Sequence, residues 1–182
     1  MTKPLESAFL PPRQAFLTPI FRELRPSEHE LLQGHLLRLS SESRVKRFCS
    51  PFSVQLIEKY CRNDGQPMPI IVGAFIGDTL RGVVELRFDR SRPRNTAELA
   101  ISVEDDWQDI GVGTRLMEMA LRCARDNGIA RLEVNFLPLN TAMRRLAWKF
   151  GANFSHQTGL TKGLFSLSDM DYAVDAGSKR PQ

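Results

Sequence analysis

The sequence predicts an α+β fold, with a central mixed, mostly antiparallel twisted sheet of about six or seven strands flanked by helices. Three observations predict it. The first half carries an apolar hairpin, with Ile70 to Ile76 outgoing, Gly77 and Asp78 turning, and Leu80 to Phe88 returning. The second half alternates strand and helix patterns. Between them, Thr96 to Val103 alternates cleanly: Ala97, Leu99, Ile101 and Val103 on one face, Glu98, Ala100 and Ser102 on the other.

The elements follow in order. Pro4, Pro11, Pro12 and Pro19 forbid a helix, so residues 1–19 read as a flexible arm ahead of a domain over 20–174. Ile20 to Leu24 is a short strand. Ser27 is placed to cap a helix, with Glu30 three residues on and Leu31, Leu32, His35, Leu36 and Leu39 as its apolar stripe. Ser41 to Phe48 and Val54 to Cys61 are further helices. Asp89 to Asn95 is an Arg-rich turn before the alternating strand. Gly111 to Asn127 is a helix that buries Val112, Leu116, Met119, Ala120 and Cys123, and Gly128 stops it. Leu132 to Phe136 is a strand. Asn140 caps a helix carrying Met143, Leu146, Ala147 and Phe150, stopped by Gly151. Two late strands lie near Asn153 to Gln157 and Gly163 to Ala173. Residues 175–182 read as a disordered tail.

Composition bounds the function. The chain has 182 residues, 42% hydrophobic and 25% charged, which describes one ordinary globular domain. Twenty-five Lys and Arg against 21 Asp and Glu give a net charge of +4. That is too weak for a dedicated nucleic-acid protein, so no nucleic-acid partner is expected. Cys49, Cys61 and Cys123 share no metal-ligand or redox spacing and read as reduced core thiols of a cytoplasmic protein. No apolar run approaches the ~18 residues of a membrane span, so no membrane partner is expected. His29, His35 and His156 form no metal or triad pattern; they read as structural, and no metal is expected. Trp107 and Trp148 read as packing residues.

The chemistry concentrates between the alternating strand and the long helix. There Gln108, Asp109, Ile110, Gly111, Val112, Gly113 and Thr114 form a glycine-bearing entry to a helix. Glycines let the backbone approach a ligand, and a helix start adds partial positive charge, so the segment suits a pyrophosphate. A Walker loop needs Gly-Lys-Ser/Thr, which is absent. A dinucleotide fingerprint needs a small residue three after Gly113, where Leu116 stands, and an early parallel β-α-β unit.

Gln108-x-x-Gly111-x-Gly113 resembles the acetyl-CoA-binding motif of the GNAT N-acetyltransferases. The Asn140-initiated helix that ends at Gly151 is similar to a second segment of that family, and the order of elements agrees from about Ile20 to Ala173. A narrower resemblance links Leu39 to Arg44, Arg47-Phe48, Ala97 to Ala100 and Asp105 to Gln108 to bacterial protein-lysine acetyltransferases. The resemblance implies the acyltransferase fold, acetyl-CoA as co-substrate and an amine acceptor, with a protein lysine implied by the narrower match.

It also implies roles. Glu98 is the general base that deprotonates the amine, whose ordinary pKa is ~10.4 for lysine. With matched apolar faces, Glu98 falls opposite Glu85, which would raise its pKa, or Arg87, which would lower it and make an ion pair. Ile101 and Val103 meet the cofactor through main chain, and an N–H near Val103 stabilises the oxyanion. The loop 108–114 and Asn140 complete the cofactor site. Arg115, Arg144, Arg145 and Lys149 are candidates for the adenosine 3′-phosphate. Ala147 stands where many members carry the tyrosine that protonates the leaving thiolate; Tyr172 or water would have to substitute. Two alternatives stay open: a non-catalytic acetyl-CoA-binding regulatory domain, and a small-molecule acetyltransferase acting on a polyamine, amino acid or drug. Oligomeric state carries no signature, and a homodimer is the arrangement entertained.

Overall fold

The computed structural model describes residues 18–62, 67–88, 93 and 95–167. Within them the chain runs β1 (Ile20–Glu23), a 3-10 turn (Pro26–Glu28), α1 (Glu30–Arg38), α2 (Ser41–Phe48), α3 (Val54–Arg62), β2 (Ile70–Ile76), β3 (Thr79–Arg87), β4 (Thr96–Val103), a 3-10 turn (Asp105–Trp107), α4 (Val112–Asp126), β5 (Arg131–Phe136), α5 (Thr141–Lys149), β6 (Asn153–Gln157) and β7 (Leu160–Ser166). The seven strands form one sheet in the order β1-β2-β3-β4-β5-β7-β6. Each pairing is antiparallel except β4 with β5. The predicted mixed, mostly antiparallel sheet is the observed one. Among the described residues no helix is long and apolar enough to cross a membrane.

The two faces of the sheet bury different partners. Val84 and Leu86 of β3, with Ala97 and Leu99 of β4, pack under the Leu116, Met117, Ala120 and Ala124 stripe of α4. Ile71, Leu80 and Val83 pack on the other face against Leu32, Leu36 and Leu39 around α1 and Ile57 of α3. Gly82 suits this packing: a Cβ there would meet Leu116 at 3.1 Å and Val112 at 3.2 Å, and those side chains would have to give by a few tenths of an ångström.

Several local expectations shift. Ser27 does not cap α1. Glu28 instead reaches back to the Arg25 N–H at 2.9 Å and binds Arg22 through both carboxylate oxygens, which closes a 3-10 turn two residues early. Leu31 is 38% exposed, outside the stripe that Leu32, His35 and Leu36 bury. Met119 and Cys123 only flank the core, because the buried arc of α4 is centred on Leu116, Met117, Ala120, Leu121 and Ala124. The last described strand starts at Leu160, not Gly163, since Gly159 at φ +75° turns the chain back onto β6 directly. Its predicted end lies outside the described residues, as does most of the arm and the whole tail. None of the three cysteines is a core residue; all are partly exposed. Trp107 is buried, but Trp148 is 75% exposed.

His35 is the buried polar centre of the α1 face, with 0% exposure. Its Nδ1 lies 3.3 Å from Glu104 and its Nε2 lies 2.9 Å from the Ser102 hydroxyl. A neutral ring satisfies both: Nδ1–H donates to Glu104 and Ser102 donates to Nε2. Burial pushes the His35 pKa down, against the pull of Glu104. Glu104 also accepts from Arg38 Nε and Arg81 Nη1, each at 2.8 Å. Its own pKa is raised by burial but held below the ordinary carboxylate value by His35, Arg81 and Arg38. Both groups have folded pKa values below their unfolded ones, so both contribute stability that is complete above the unfolded pKa. The unfolding free energy therefore falls as pH drops below about 6.5, the ordinary histidine value, by at most ~1.4 kcal/mol per pH unit for one proton, and the thermal midpoint falls with it. In His35→Gln the midpoint is lower overall but flat between pH 7.5 and 5.5; calorimetry across that window checks it.

Candidate active site

A cleft of about 910 Å³ opens where β4 and β5 part. The two strands pair at Thr96, Ala97 and Glu98 against Arg131, Leu132 and Glu133, and the ladder ends there. β4 nonetheless continues to Val103 along β3, and β5 continues to Phe136 along β7. The Glu104 N–H donates to the Arg81 carbonyl at 2.8 Å, which fixes the phase of the β3–β4 ladder. Hydrogen-bonded pairs alternate along an antiparallel ladder. Ile101 and Val103 therefore turn their main-chain N–H and C=O groups away from β3 and into the gap.

Side chains hold the gap's two edges. Gln108 Nε2 donates to the Val103 carbonyl at 2.9 Å. The Cys49 thiol donates to the Asn135 carbonyl of β5 at 3.6 Å. Cys49 gets there because it ends α2 in a left-handed turn at φ 58°. Burial pushes its thiol pKa up.

The glycine segment forms one end of the cleft. Asp109 at φ 58° and Gly111 at φ 91° turn the chain into α4. Gly111 is the N-cap and offers no side chain, so the first N–H groups of this 15-residue helix carry no side-chain cap. Gly113 lines the cleft. A Cβ there would lie 3.9 Å from Leu146 and 4.0 Å from Val103, ordinary contacts, so the protein's own packing does not demand glycine. The demand comes from the cleft side, where a cradle of uncapped N–H groups without Cβ suits a pyrophosphate.

Most of the sequence-predicted residues converge here. Glu98, Ile101, Val103, Gln108, Asp109, Gly111, Gly113, Thr114 and Asn140 all line the cleft. Two do not. Val112 is 3% exposed and packs into the α4 core, while Ile110 is 63% exposed and points outward at the bend. Asn140 uses its Oδ1 to cap α5, accepting from Met143 N at 3.1 Å. Of the four phosphate candidates, Arg145 and Lys149 line the cleft. Arg115 pairs with Glu118 at 2.8 Å, and Arg144 donates to Thr161 at 3.3 Å. Ala147 is buried in the core and is not among the residues that line the cleft. Tyr172 lies outside the described residues. Among the described residues no three of His, Cys, Asp and Glu gather into a metal-binding group.

Sequence reasoning missed the opposite wall. Glu98 lies across from Arg87, not Glu85, in the β3–β4 register. That is the alternative in which an ion pair with Glu98 is expected, yet the Arg87 guanidinium binds Glu85. Its Nε donates to Glu85 at 2.9 Å and its Nη2 lies 2.8 Å from the same oxygen. Glu85 is wholly buried and also bonded by Arg47, with the Tyr60 hydroxyl donating at 3.0 Å. Burial pushes the Glu85 pKa up, but Arg47 and Arg87 outweigh it and hold the carboxyl below its ordinary value. Burial pushes Tyr60 to about 12. Arg47, Arg87 and Tyr60 reach into the cleft while Glu85 lies behind them.

The two walls are tied together. Asp105 accepts from the Ser40 N–H at 3.1 Å and from the Ser40 and Ser43 hydroxyls at 2.8 Å each. Ser43 in turn accepts from Gln108 Nε2 at 3.2 Å. The N-terminus of α2 is thus fastened to the loop that opens α4.

The geometry agrees with the comparisons. Residues 35–152 match the model of the acetyltransferase (GNAT) family, more than half of the chain. Among solved structures, the GNAT domain of S. lividans PAT is 24% identical, with a TM-score of 0.69 over 81% of this chain and 90% of that one. The PaiA N-acetyltransferase of Thermoplasma acidophilum, in complex with coenzyme A, is 19% identical, with a TM-score of 0.61 over 82% and 99%. YncA of Salmonella typhimurium, with its cofactor acetyl-CoA, is 16% identical, with a TM-score of 0.62 over 91% and 98%.

Removing Glu85 would leave two guanidiniums and a phenol without their acceptor, with Arg47 nearly buried. Breaking a buried pair in this way costs ~3–5 kcal/mol. Glu85→Ala is expected to lower Tm by about 10 °C, read by differential scanning calorimetry, at ~2–4 °C per kcal/mol for a chain of this size.

Proposed function

The chain belongs to the acetyltransferase (GNAT) family, and from that membership we propose that it moves an acetyl group from acetyl-CoA to a primary amine, with Glu98 as general base. The observation that carries the reading is the parting of β4 from β5 beside the uncapped N-terminus of α4. One cleft thus joins the glycine-bearing helix start to a carboxylate. When bound, acetyl-CoA supplies an acyl carbon activated as a thioester.

The residues of the chain divide the remaining work. The N–H groups of Val112, Gly113 and Thr114 would hold the pyrophosphate, with Arg145 and Lys149 near for the 3′-phosphate. Asn140 has its Oδ1 committed to the helix, so a cofactor contact falls to its Nδ2. The N–H groups of Ile101 and Val103 face the place where a carbonyl oxygen gains negative charge. Glu98 is half-buried on the same strand, next to Ala100, which leaves room for an amine, and it takes the ammonium proton. Tyr60 is a poor acid for the leaving thiol, because burial holds its proton and its oxygen is already bonded. A thiolate departs unaided, since a thiol of pKa ~8.5 is a fair leaving group.

A protein lysine is the acceptor that the narrower resemblance supports. Two of its four segments, Leu39–Arg44 and Asp105–Gln108, meet in space through the Asp105 and Gln108 hydrogen bonds.

Two variants test the reading in an assay of free-thiol release with a panel of amines. Glu98→Gln is expected to lower kcat roughly 10²-fold or more while acetyl-CoA affinity stays within a few-fold. Retention of activity within a few-fold would sink the assignment. Gly113→Ala is expected to keep or raise stability, by up to ~1 kcal/mol, because alanine is the better helix former. The same substitution is expected to weaken acetyl-CoA binding about ten-fold, since its Cβ projects into the pyrophosphate cradle. Titration calorimetry and thermal denaturation read the two effects apart.

A further inference from the structure

α2 lies across the mouth of the gap. Near its start, Ser43 accepts from Gln108 Nε2, which also donates to the Val103 carbonyl on the β4 edge. At its end, the Cys49 thiol donates to the Asn135 carbonyl on the β5 edge. Lys46 stands midway between Ser43 and Cys49, and it lines the cleft together with Ser43 and Arg47. Its stem thus rises from the stretch of helix that bridges the two edges. Three residues of helix span ~4.5 Å and a lysine side chain reaches about 6 Å, so the amine is within reach of the opening that those contacts flank.

The helix is fixed and the amine is not. Asp105 accepts from Ser40 and Ser43, and Glu85 holds the buried Arg47, so both turns of α2 are anchored. Lys46 is paired only with Glu42, at 2.6 Å, and the two side chains are 43% and 77% exposed. An exposed pair of this kind is weak, and the amine leaves it easily.

The other described lysines are placed differently. Lys59 of α3 is exposed and is not among the residues that line the cleft. Lys162 is tied to Glu133 at 2.9 Å. Lys149 lines the cleft but lies at the far end of α5, about 12 Å from the helix start that opens on the gap.

We propose that Lys46 is a self-acetylation site, modified in the same chain by acetyl-CoA bound in its own cleft. The inference rests on the reading of amine acetylation above and names one acceptor for it. The Lys46 ammonium gives one proton to Glu42, already in hydrogen-bond contact. The neutral amine then attacks the acyl carbon. A C–N bond forms, the C–S bond breaks, and the second nitrogen proton leaves with the CoA thiolate. The product has lost the positive charge of Lys46 and leaves Glu42 without its partner.

The full chain is incubated with acetyl-CoA and no other amine, and each lysine is followed by peptide mass spectrometry. Lys46 is expected to be acetylated about ten-fold or more faster than Lys59, because a tethered amine has a high effective concentration. Its rate constant is expected to stay the same across dilution of the protein. Free CoA in about ten-fold excess is expected to slow Lys46 about ten-fold and leave Lys59 unchanged. Acetyl phosphate, which acetylates without the CoA site, is expected to modify the two lysines within about three-fold of each other, as exposed amines of one ordinary pKa. The proposal is overturned if Lys46 reacts no faster than Lys59, if its rate constant rises in proportion to protein concentration, if CoA does not slow it, or if acetyl phosphate shows the same preference. Thiol release with added amines, read in parallel, separates the two readings. Release without modification of Lys46 overturns the proposal and leaves amine acetylation standing. Modification of Lys46 by these criteria with no added amine accepted supports the proposal and removes the external acceptor. Neither reaction overturns both.

Discussion

The cleft depends on the point at which β4 and β5 stop pairing. After Glu98 and Glu133 the two strands diverge, and main-chain groups that a continuous sheet would have joined are left facing each other across a gap. Unpaired backbone groups away from water cost ~1–3 kcal/mol each, so the opening must be held by other contacts. Gln108 satisfies the Val103 carbonyl on one edge and Cys49 the Asn135 carbonyl on the other. The helices that follow the two strands also start at this opening. α4 succeeds β4 and α5 succeeds β5, so both bring a positively polarised N-terminus to the same mouth. An anionic ligand with a polar, extended arm suits such a place better than a second strand would.

Much of this half was legible in the sequence because it is local. Gln108, Gly111, Gly113 and Asn140 are each read within a few residues of a helix start, and their spacing is set by the helix they open. The strand Thr96–Val103 carries its own period of two, which placed Glu98 on the polar face without knowledge of any partner. The errors inside the motif have the same root. Val112 and Ile110 sit in the glycine segment by sequence, but the turn at Asp109 and Gly111 sends one into the core and the other to solvent. Which side chains a left-handed turn aims inward is not readable from residue types.

The wall of the cleft formed by Arg47, Tyr60 and Arg87 was not legible, because it is assembled from distant elements. Arg47 comes from α2, Tyr60 from α3, and Glu85 and Arg87 from β3. No spacing links them. Only the β2–β3 and β3–β4 registers and the seat of α2 over that face bring them together. A one-residue slip in the β3–β4 register would have turned Glu85 and Arg87 to the α4 face, so register, set by apolar Val84 and Leu86 on that face, decides the charge of the site. His35 escaped for a similar reason. An apolar helix stripe gives no sign that one of its members will meet Ser102 and Glu104 from the far side of a hairpin.

The two halves still have to work as one, and here Asp105 matters more than its place on the surface suggests. It lies in the turn that leaves β4, one residue after Glu104, which anchors α1 through His35 and Arg38. Asp105 itself holds the start of α2, accepting from Ser40, its N-cap residue, and from the Ser43 hydroxyl. Adjacent carboxylates at the end of one strand thus fix the first helix and the second. Gln108, three residues on, binds both Ser43 and the Val103 carbonyl. Any motion of α2, and with it Arg47, is therefore transmitted to the edge of the gap that Ile101 and Val103 form. The Arg47 wall and the main-chain donors are joined by a short chain of charged and hydroxyl groups in addition to the core on that face. Reactions that join two bound molecules depend on that separation more than on the strength of either site, because a misplacement of about 1 Å at the reacting atoms costs on the order of 10²-fold in rate.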